Sequence, residues 1–199
     1  MRQDQSNTQA QKPQPVELNE PDPSRAVALM SALELRNSEE SCSSEDLSRQ
    51  DLSDLLWAAN GVNRPDKGKR TAASALNAQE IDIYVLMEKG AYLYDAFKQA
   101  LTPVASGDHR SLAAATNAPV VLVMVADVSR FPMGGRDMKM QWAGIDCGLV
   151  SQNISLLCAA AGLATRPRTS FSGKDKLVKV LNLNGSKHIL LNHPVGYAE

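Results

Sequence analysis

Residues Pro119–Ala126 read PVVLVMVA, an unbroken apolar run. A short run rich in valine suits a strand covered on both faces, because a half-exposed strand would alternate with polar residues. That strand predicts a sheet with layers on either side, and the neighbouring segments supply them. Upstream, Ile81, Ile83, Val85 and Met87 alternate with Asp82, Tyr84 and Leu86, a strand period. Glu88-Lys89-Gly90 then reads as a hairpin turn into a strand over Ala91 to Tyr94. Downstream, Gly144 to Ala161 carries apolar residues nearly all round and predicts a buried core helix, with Gly162-Leu163 as a left-handed stop. Ser172-Gly173-Lys174-Asp175 resembles a capping box that opens a short helix through Leu177, Val178 and Leu181. Ile189 to Leu191 and Val195 give a last strand.

Two helices precede the sheet. The first is expected from Ser24, after Pro23, to Leu35–Asn37, with Ala26, Leu29, Met30 and Leu33 at helical spacing. The second fits Ser48 to Asn60, with Leu52, Leu55, Leu56 and Ala59 on one face and Gly61 placed for a left-handed cap. A polar loop, Val62 to Ala73, follows with Arg64, Lys67, Lys69 and Arg70. Interleaved helices and strands with a hairpin make the class α+β.

The chain has 199 residues, 43% hydrophobic and 22% charged, with a formal net charge of −1. That length suits one domain, expected over residues 24–199. The near-neutral charge gives no electrostatic footprint for nucleic acid. Residues 1–23 hold only Met1, Ala10, Val16 and Leu18 as apolar residues and read as a disordered tail or an arm draped over something else. Cys42, Cys147 and Cys158 are odd in number and show no C-x-x-C, so no disulfide framework is expected; the two in the long helix read as core residues. No uninterrupted apolar run approaches the ~20 residues of a membrane span. The default compartment is the cytoplasm, with a periplasmic mature form as the alternative.

Several chemistries lack their motifs. Gly68-Lys69-Arg70-Thr71 is not a P-loop, because Asn63 stands where the first Gly belongs and Arg70 where Ser or Thr must follow the Lys. Neither G-x-S-x-G nor G-x-G-x-x-G occurs. His109, His188 and His193 have no metal-ligand spacing, and no metal site is expected. His109, between Asp108 and Arg110, reads as a solvated loop residue.

Four segments belong together. They are Leu35-Arg36-Asn37-Ser38; Leu55-Leu56-Trp57-Ala58-Ala59-Asn60-Gly61-Val62-Asn63-Arg64; Arg70-Thr71-Ala72-Ala73-Ser74-Ala75-Leu76-Asn77-Ala78-Gln79; and Ala164 to Phe171. In this order and spacing the chain resembles the nitroreductase family of flavoproteins, specifically its short bacterial members, over roughly Ala28 to Tyr197. The resemblance implies a mainly antiparallel sheet flanked by helices, an intertwined homodimer, and FMN at the subunit interface. Arg36, Asn37 and Ser38 match positions that meet the flavin phosphate, ribityl chain and pyrimidine edge. Ser74, Ala75 and Asn77 match the segment given by the partner subunit, and Gln79 a supporting position. Arg168 and Thr169 match the segment whose backbone nears the flavin N4–N5 edge, with a shift to Ser170 as an alternative.

The implied activity is two-electron transfer from NAD(P)H or a similar donor to a nitroaromatic, a quinone or a related acceptor. The flavin N5 would carry the hydride, so no catalytic acid or base motif is needed. Glu40 stands where many relatives have a basic residue near the phosphate, Cys42 where an aromatic is common, Ala73 where Pro is common, and Thr169 where Gly is common. Glu40 would repel a phosphate unless it points away, with Arg64, Lys69 or Arg70 as possible substitutes. This motivates the alternative of a dimeric flavin-binding or flavin-free protein without turnover that binds ligands or partners.

Overall fold

The computed structural model of the chain describes residues 13–25 and 28–199. Among these residues there are nine strands: β1 (Val16–Glu17), β2 (Val62–Arg64), β3 (Lys69–Arg70), β4 (Ile81–Met87), β5 (Gly90–Asp95), β6 (Ala100–Ser106), β7 (Val120–Asp127), β8 (Leu163–Thr165) and β9 (Lys187–Tyr197). Five α-helices accompany them: α1 (Leu29–Leu35), α2 (Arg49–Asn60), α3 (Arg110–Ala113), α4 (Arg136–Ala161) and α5 (Lys174–Val180). Seven strands form one sheet in the order β1-β6-β5-β4-β7-β9-β8, and every neighbouring pair is antiparallel.

β7 lies inside this sheet, between β4 and β9, as the PVVLVMVA run predicts. Its alternate side chains serve two cores. Val120, Leu122, Met124 and Ala126 join Ile81, Ile83 and Val85 of β4 against α2 and α4. Val121, Val123 and Val125 join Tyr84 and Leu86 against α5, where Leu177 and Leu181 are buried. Period-2 alternation on strands buried on both faces is what an all-apolar run encodes.

The β4–β5 hairpin turns through Glu88 and Lys89, with Met87 paired to Gly90. α2 is capped by Ser48, whose Oγ accepts the Asp51 N–H at 3.0 Å. Gly162 closes α4 at φ 69°, the left-handed stop.

Other expectations are corrected. The first helix begins at Leu29, because Pro23–Arg25 forms a separate single 3-10 turn; Ala26 lies outside the described residues. Gly61 is extended (φ −75°, ψ 167°) rather than left-handed. Its requirement is space: a Cβ there would lie 2.4 Å from Trp57 Cδ1 and 2.7 Å from the Trp57 carbonyl oxygen. Gly61→Ala is therefore expected to cost about 1–3 kcal/mol, a fall in Tm of roughly 3–10 °C for a chain this long. A thermal scan checks it, and an unchanged Tm would contradict the close approach.

The polar loop after Gly61 contains a small hairpin, β2–β3, turned at Gly68 with φ 58°. β6 contains Pro103, a residue that usually argues against a strand. Here β6 is nearly an edge, covered only by two residues of β1, and a bulge at Ala91/Tyr92 lies beside the proline. The stretch at Ser172 opens α5 through a Gly173 N-cap with no side-chain cap bond.

From Pro13 the N-terminal segment runs beside β6 and α2, and residues 1–12, over which a tail or arm is also expected, lie outside the described residues. Val16 and Glu17 pair with Leu101 and Ala100. Beyond them Asn19 N–H donates to Ser53 Oγ at 2.8 Å and Asp22 N–H to Asp54 Oδ1 at 2.9 Å. Arg25 reaches both Asp51 and Asp54. Polar groups of α2 thus order a segment whose own composition has little to bury.

α4 is long and apolar enough, by length and composition alone, to cross a membrane. Its inner face packs on the sheet through Ala143, Cys147, Val150, Ile154 and Cys158. Its outer face is not the buried surface the sequence suggests: Ile145 is 57% and Leu149 42% exposed.

Candidate functional site

The matched segments fall into two places on the chain. Arg36, Asn37 and Ser38 follow α1, which packs on α4. The Glu39 N–H donates to the Thr165 carbonyl at 3.1 Å, so this segment runs beside the end of β8. Asn37 lines a cleft of about 140 Å³ with Ser155, Cys158, Gly162 and Thr165. Arg166 and Arg168 line an adjoining cleft that shares Glu39 and Thr165. The Leu35–Ser38 and Ala164–Phe171 segments therefore meet at the C-terminal end of α4.

Charge there is sorted by pairing. Arg166 Nη1 donates to Glu40, so the acidic residue that departs from the family pattern already has a cation. Arg36 and Arg168 are half-buried, and neither guanidinium has a hydrogen-bond or salt-bridge partner among the described residues. Half-buried guanidinium groups without a carboxylate fit an anionic ligand. Arg70, in contrast, donates to Gln79 Oε1 at 3.0 Å and lies over the Phe97 ring, so it is already engaged.

The loop after β8 is clamped by Asn192 on β9. Asn192 N–H donates to the Arg168 carbonyl at 2.8 Å, and Arg168 N–H returns a bond to the Asn192 carbonyl at 2.9 Å. The Asn192 side-chain amide donates to the Ser170 carbonyl at 2.9 Å. Thr169, exposed between these anchors, is held at the surface by its neighbours.

Beside the clamp, His193 is fully buried. Thr165 Oγ1 donates its proton to the Pro194 carbonyl and so accepts from His193 Nδ1 at 3.0 Å. Nε2 is then the acceptor, facing Ser151 Oγ at 2.8 Å. Burial holds this imidazole neutral, down to about 3. The unfolded chain takes up a proton below the ordinary value of 6.5 that the folded one does not. The stabilisation is therefore full above 6.5 and is lost as pH falls towards 3. Relative to His193→Gln, the wild type should lose about 1–3 kcal/mol between pH 6.5 and roughly 4.5. Urea unfolding at both pH values checks this; a pH-independent difference would contradict the neutral tautomer.

The remaining segment, Ser74 to Gln79, lies elsewhere. Ser74 Oγ accepts the Gln79 N–H at 3.0 Å, and Asp146 Oδ2 of α4 accepts the Ala75 N–H at 2.7 Å. Leu76, Asn77 and Gln79 all have positive φ, at 57°, 54° and 50°. Three non-glycine residues in the left-handed region persist only where surrounding contacts over-determine them, and such clusters mark functional loops. Gln79 supplies part of that restraint: Nε2 donates to the Gly68 carbonyl at 2.7 Å, and its own carbonyl accepts from Arg130 at 2.8 Å.

Asp146 and Cys158 are twelve residues apart on α4, roughly 18 Å along the axis at about 1.5 Å per residue. One chain therefore does not bring Ser74–Asn77 to Arg36–Ser38. Sequence reasoning missed Asn192, His193, Glu80 and Asp146. The one signal available was a polar pair, Asn192-His193, inside an otherwise apolar strand. The buried cysteines are core residues, with the Cys147 thiol pushed up to about 12 by burial and the Cys158 thiol pushed higher.

A sequence model of the Nitroreductase family matches residues 36–197. The chain belongs to the nitroreductase family. Among solved structures it is similar to a protein of Ralstonia eutropha JMP134 assigned as a nitroreductase, at 30% identity and TM-score 0.87, covering 96% of this chain and 91% of that one. It shares its fold with a chain of the E. coli microcin synthetase McbBCD complex, at 20% identity and TM-score 0.72, covering 82% and 69%. A nitroreductase family protein of Clostridium difficile 630 has 18% identity and TM-score 0.63, covering 87% and 86%. No curated protein matches the chain. As a family member the protein is, in general terms, a flavin oxidoreductase.

Proposed function

We propose that the protein is a homodimeric, FMN-dependent oxidoreductase that moves two electrons from NAD(P)H or a similar donor to a nitroaromatic, a quinone or a related acceptor. The observation that carries the reading is the separation of the matched segments along α4. Arg36–Ser38 and Arg168–Thr169 lie at the C-terminal end of α4, while Ser74–Asn77 lies beyond the reach of a single ring system. A second copy supplies the missing segment. Its docking surface is the outer face of α4, where Ile145 and Leu149 are exposed and none of the described residues lies within 4 Å of the position a Cβ would take at Gly144 or Gly148. Exposed Leu29 and Met30 of α1 extend that apolar face.

When bound, the flavin supplies hydride chemistry at N5. The chain's residues bind and orient it. Arg36 holds negative charge, and Asn37 and Ser38 offer hydrogen bonds to the polar chain and the pyrimidine edge. Thr169, steadied by the Asn192 clamp, offers backbone at the N4–N5 edge. Ser74, Ala75 and Asn77 of the second copy close the site, and Gln79 braces their turn. Glu40, the motive for a flavin-free reading, is already paired with Arg166.

FMN added to the purified protein should give the perturbed absorbance of a bound flavin, and anaerobic NADH or NADPH should bleach it. Bound flavin that neither nucleotide reduces would sink the proposed donor. A spectrum identical to that of free FMN would sink the cofactor.

A further inference from the structure

Glu80 immediately precedes β4 and is fully buried, and neither carboxyl oxygen has a hydrogen-bond partner among the described residues. Its backbone is fixed, because its carbonyl accepts the Asp127 N–H at 2.9 Å. Asp146, only 3% exposed, faces it from α4. Asp146 is also the acceptor for the Ala75 N–H at 2.7 Å. Two ionised carboxylates cannot sit side by side in so dry a place without strong repulsion. The other groups around Glu80 do not neutralise it. Cys147 of α4 is a buried, protonated thiol. Arg130, after β7, has a weak influence and is bonded to Asp82 and to the Gln79 carbonyl.

We propose that Glu80 keeps its carboxyl proton and donates it to Asp146, and that this bond holds the Ser74–Asn77 turn in the shape that receives the cofactor. The proposal deepens the cofactor reading of that turn and rests on it. With the proton present, the Glu80 O–H donates to one Asp146 oxygen while Asp146 Oδ2 keeps the Ala75 N–H. With the proton gone, the two charges separate most cheaply by moving Asp146 away, and Ala75 loses its acceptor. Leu76 and Asn77 then have less to keep them in the left-handed region.

Burial first, and the Asp146 charge after it, push the Glu80 carboxyl up to about 7. Its proton affinity is thus raised by folding. The stabilisation is full below the ordinary value of 4.5 and is lost as pH rises through about 7. The sign is opposite to that at His193.

The test follows the Ala75 amide of the full chain by NMR hydrogen exchange at about pH 6 and about pH 8.5, with FMN affinity measured at both. The protection factor of Ala75 and the affinity for FMN should each fall by about tenfold or more between these values. In Glu80→Gln the side-chain amide replaces the carboxyl proton, and both quantities should become independent of pH. Wild-type protection unchanged across the range, or an undiminished fall in Glu80→Gln, would overturn the proposal. If the variant does not fold, the Glu80 side-chain carboxyl carbon of the wild type decides: titration near 7 is expected, and titration near the ordinary 4.5 would overturn it. No FMN binding at either pH would overturn the proposed function, while Ala75 protection would still decide the Glu80 proton.

Discussion

Replacing Ile145 with aspartate is expected to leave a folded monomer that no longer binds FMN. Ile145 is 57% exposed on the single chain, so the substitution should disturb little of its own core. In the proposed two-fold dimer the same residue would be buried from both sides, and the variant would bury two charges without partners. Each uncompensated buried charge costs several kcal/mol, and every ~1.4 kcal/mol is tenfold in the dimer constant. Gly144 and Gly148 lie on either side of Ile145 and leave room for close backbone approach, so the proposed interface would have little room for a hydrated carboxylate. Sedimentation at micromolar protein should show a single chain, with an unchanged far-ultraviolet circular dichroism spectrum. A dimer that still holds flavin would mean that the partner docks elsewhere.

Arg36→Ala should be the most damaging single change within the cofactor segment. The guanidinium is half-buried and has no protein partner among the described residues. Its removal leaves no internal bond broken, so stability should hardly move. A hydrogen bond to a charged group contributes about 1.5–3 kcal/mol, which predicts a loss of FMN affinity of roughly 10- to 150-fold. Arg166→Ala offers the contrast, because Arg166 is committed to Glu40. Its loss leaves Glu40 uncompensated and should weaken FMN by a smaller factor that salt reduces. Equal affinities for Arg36→Ala and wild type would show that the Leu35–Ser38 segment is placed wrongly.

The sheet was legible where hydrophobic pattern and burial coincide. The run at Pro119–Ala126, the alternation through Ile81–Met87 and the stop at Gly162 each carry their structural reason in the residues themselves. Elsewhere the deciding partner is distant in sequence. β6 survives Pro103 because it lies near the sheet edge, which no local pattern shows. The segment from Pro13 is held by Asp51, Ser53 and Asp54, residues outside the Leu52–Ala59 face that the helical spacing marks. Gly61 was rightly marked as special but for the wrong reason, since Trp57, not a positive φ, excludes a side chain there.

The candidate site was legible through family resemblance rather than through physics. Arg36 alone would pass for a helix C-cap, and Ser74 and Asn77 for loop residues. What resemblance did not supply is the machinery behind them. Asn192 clamps Arg168 and Ser170, and His193 joins β8, β9 and α4 by hydrogen bonds that only the folded chain assembles. The burial of Glu80 beside Asp146 depends on α4, more than sixty residues later, and no local pattern shows it. Three left-handed residues between Leu76 and Gln79 are likewise invisible in a segment without glycine.

The central claim is that the cofactor site is completed by a second copy of the chain. Native mass spectrometry of the protein loaded with FMN tests it most directly. The account predicts a species of two chains carrying two flavins, and loss of both flavins when the dimer is dissociated. A single chain that retains one flavin would contradict it.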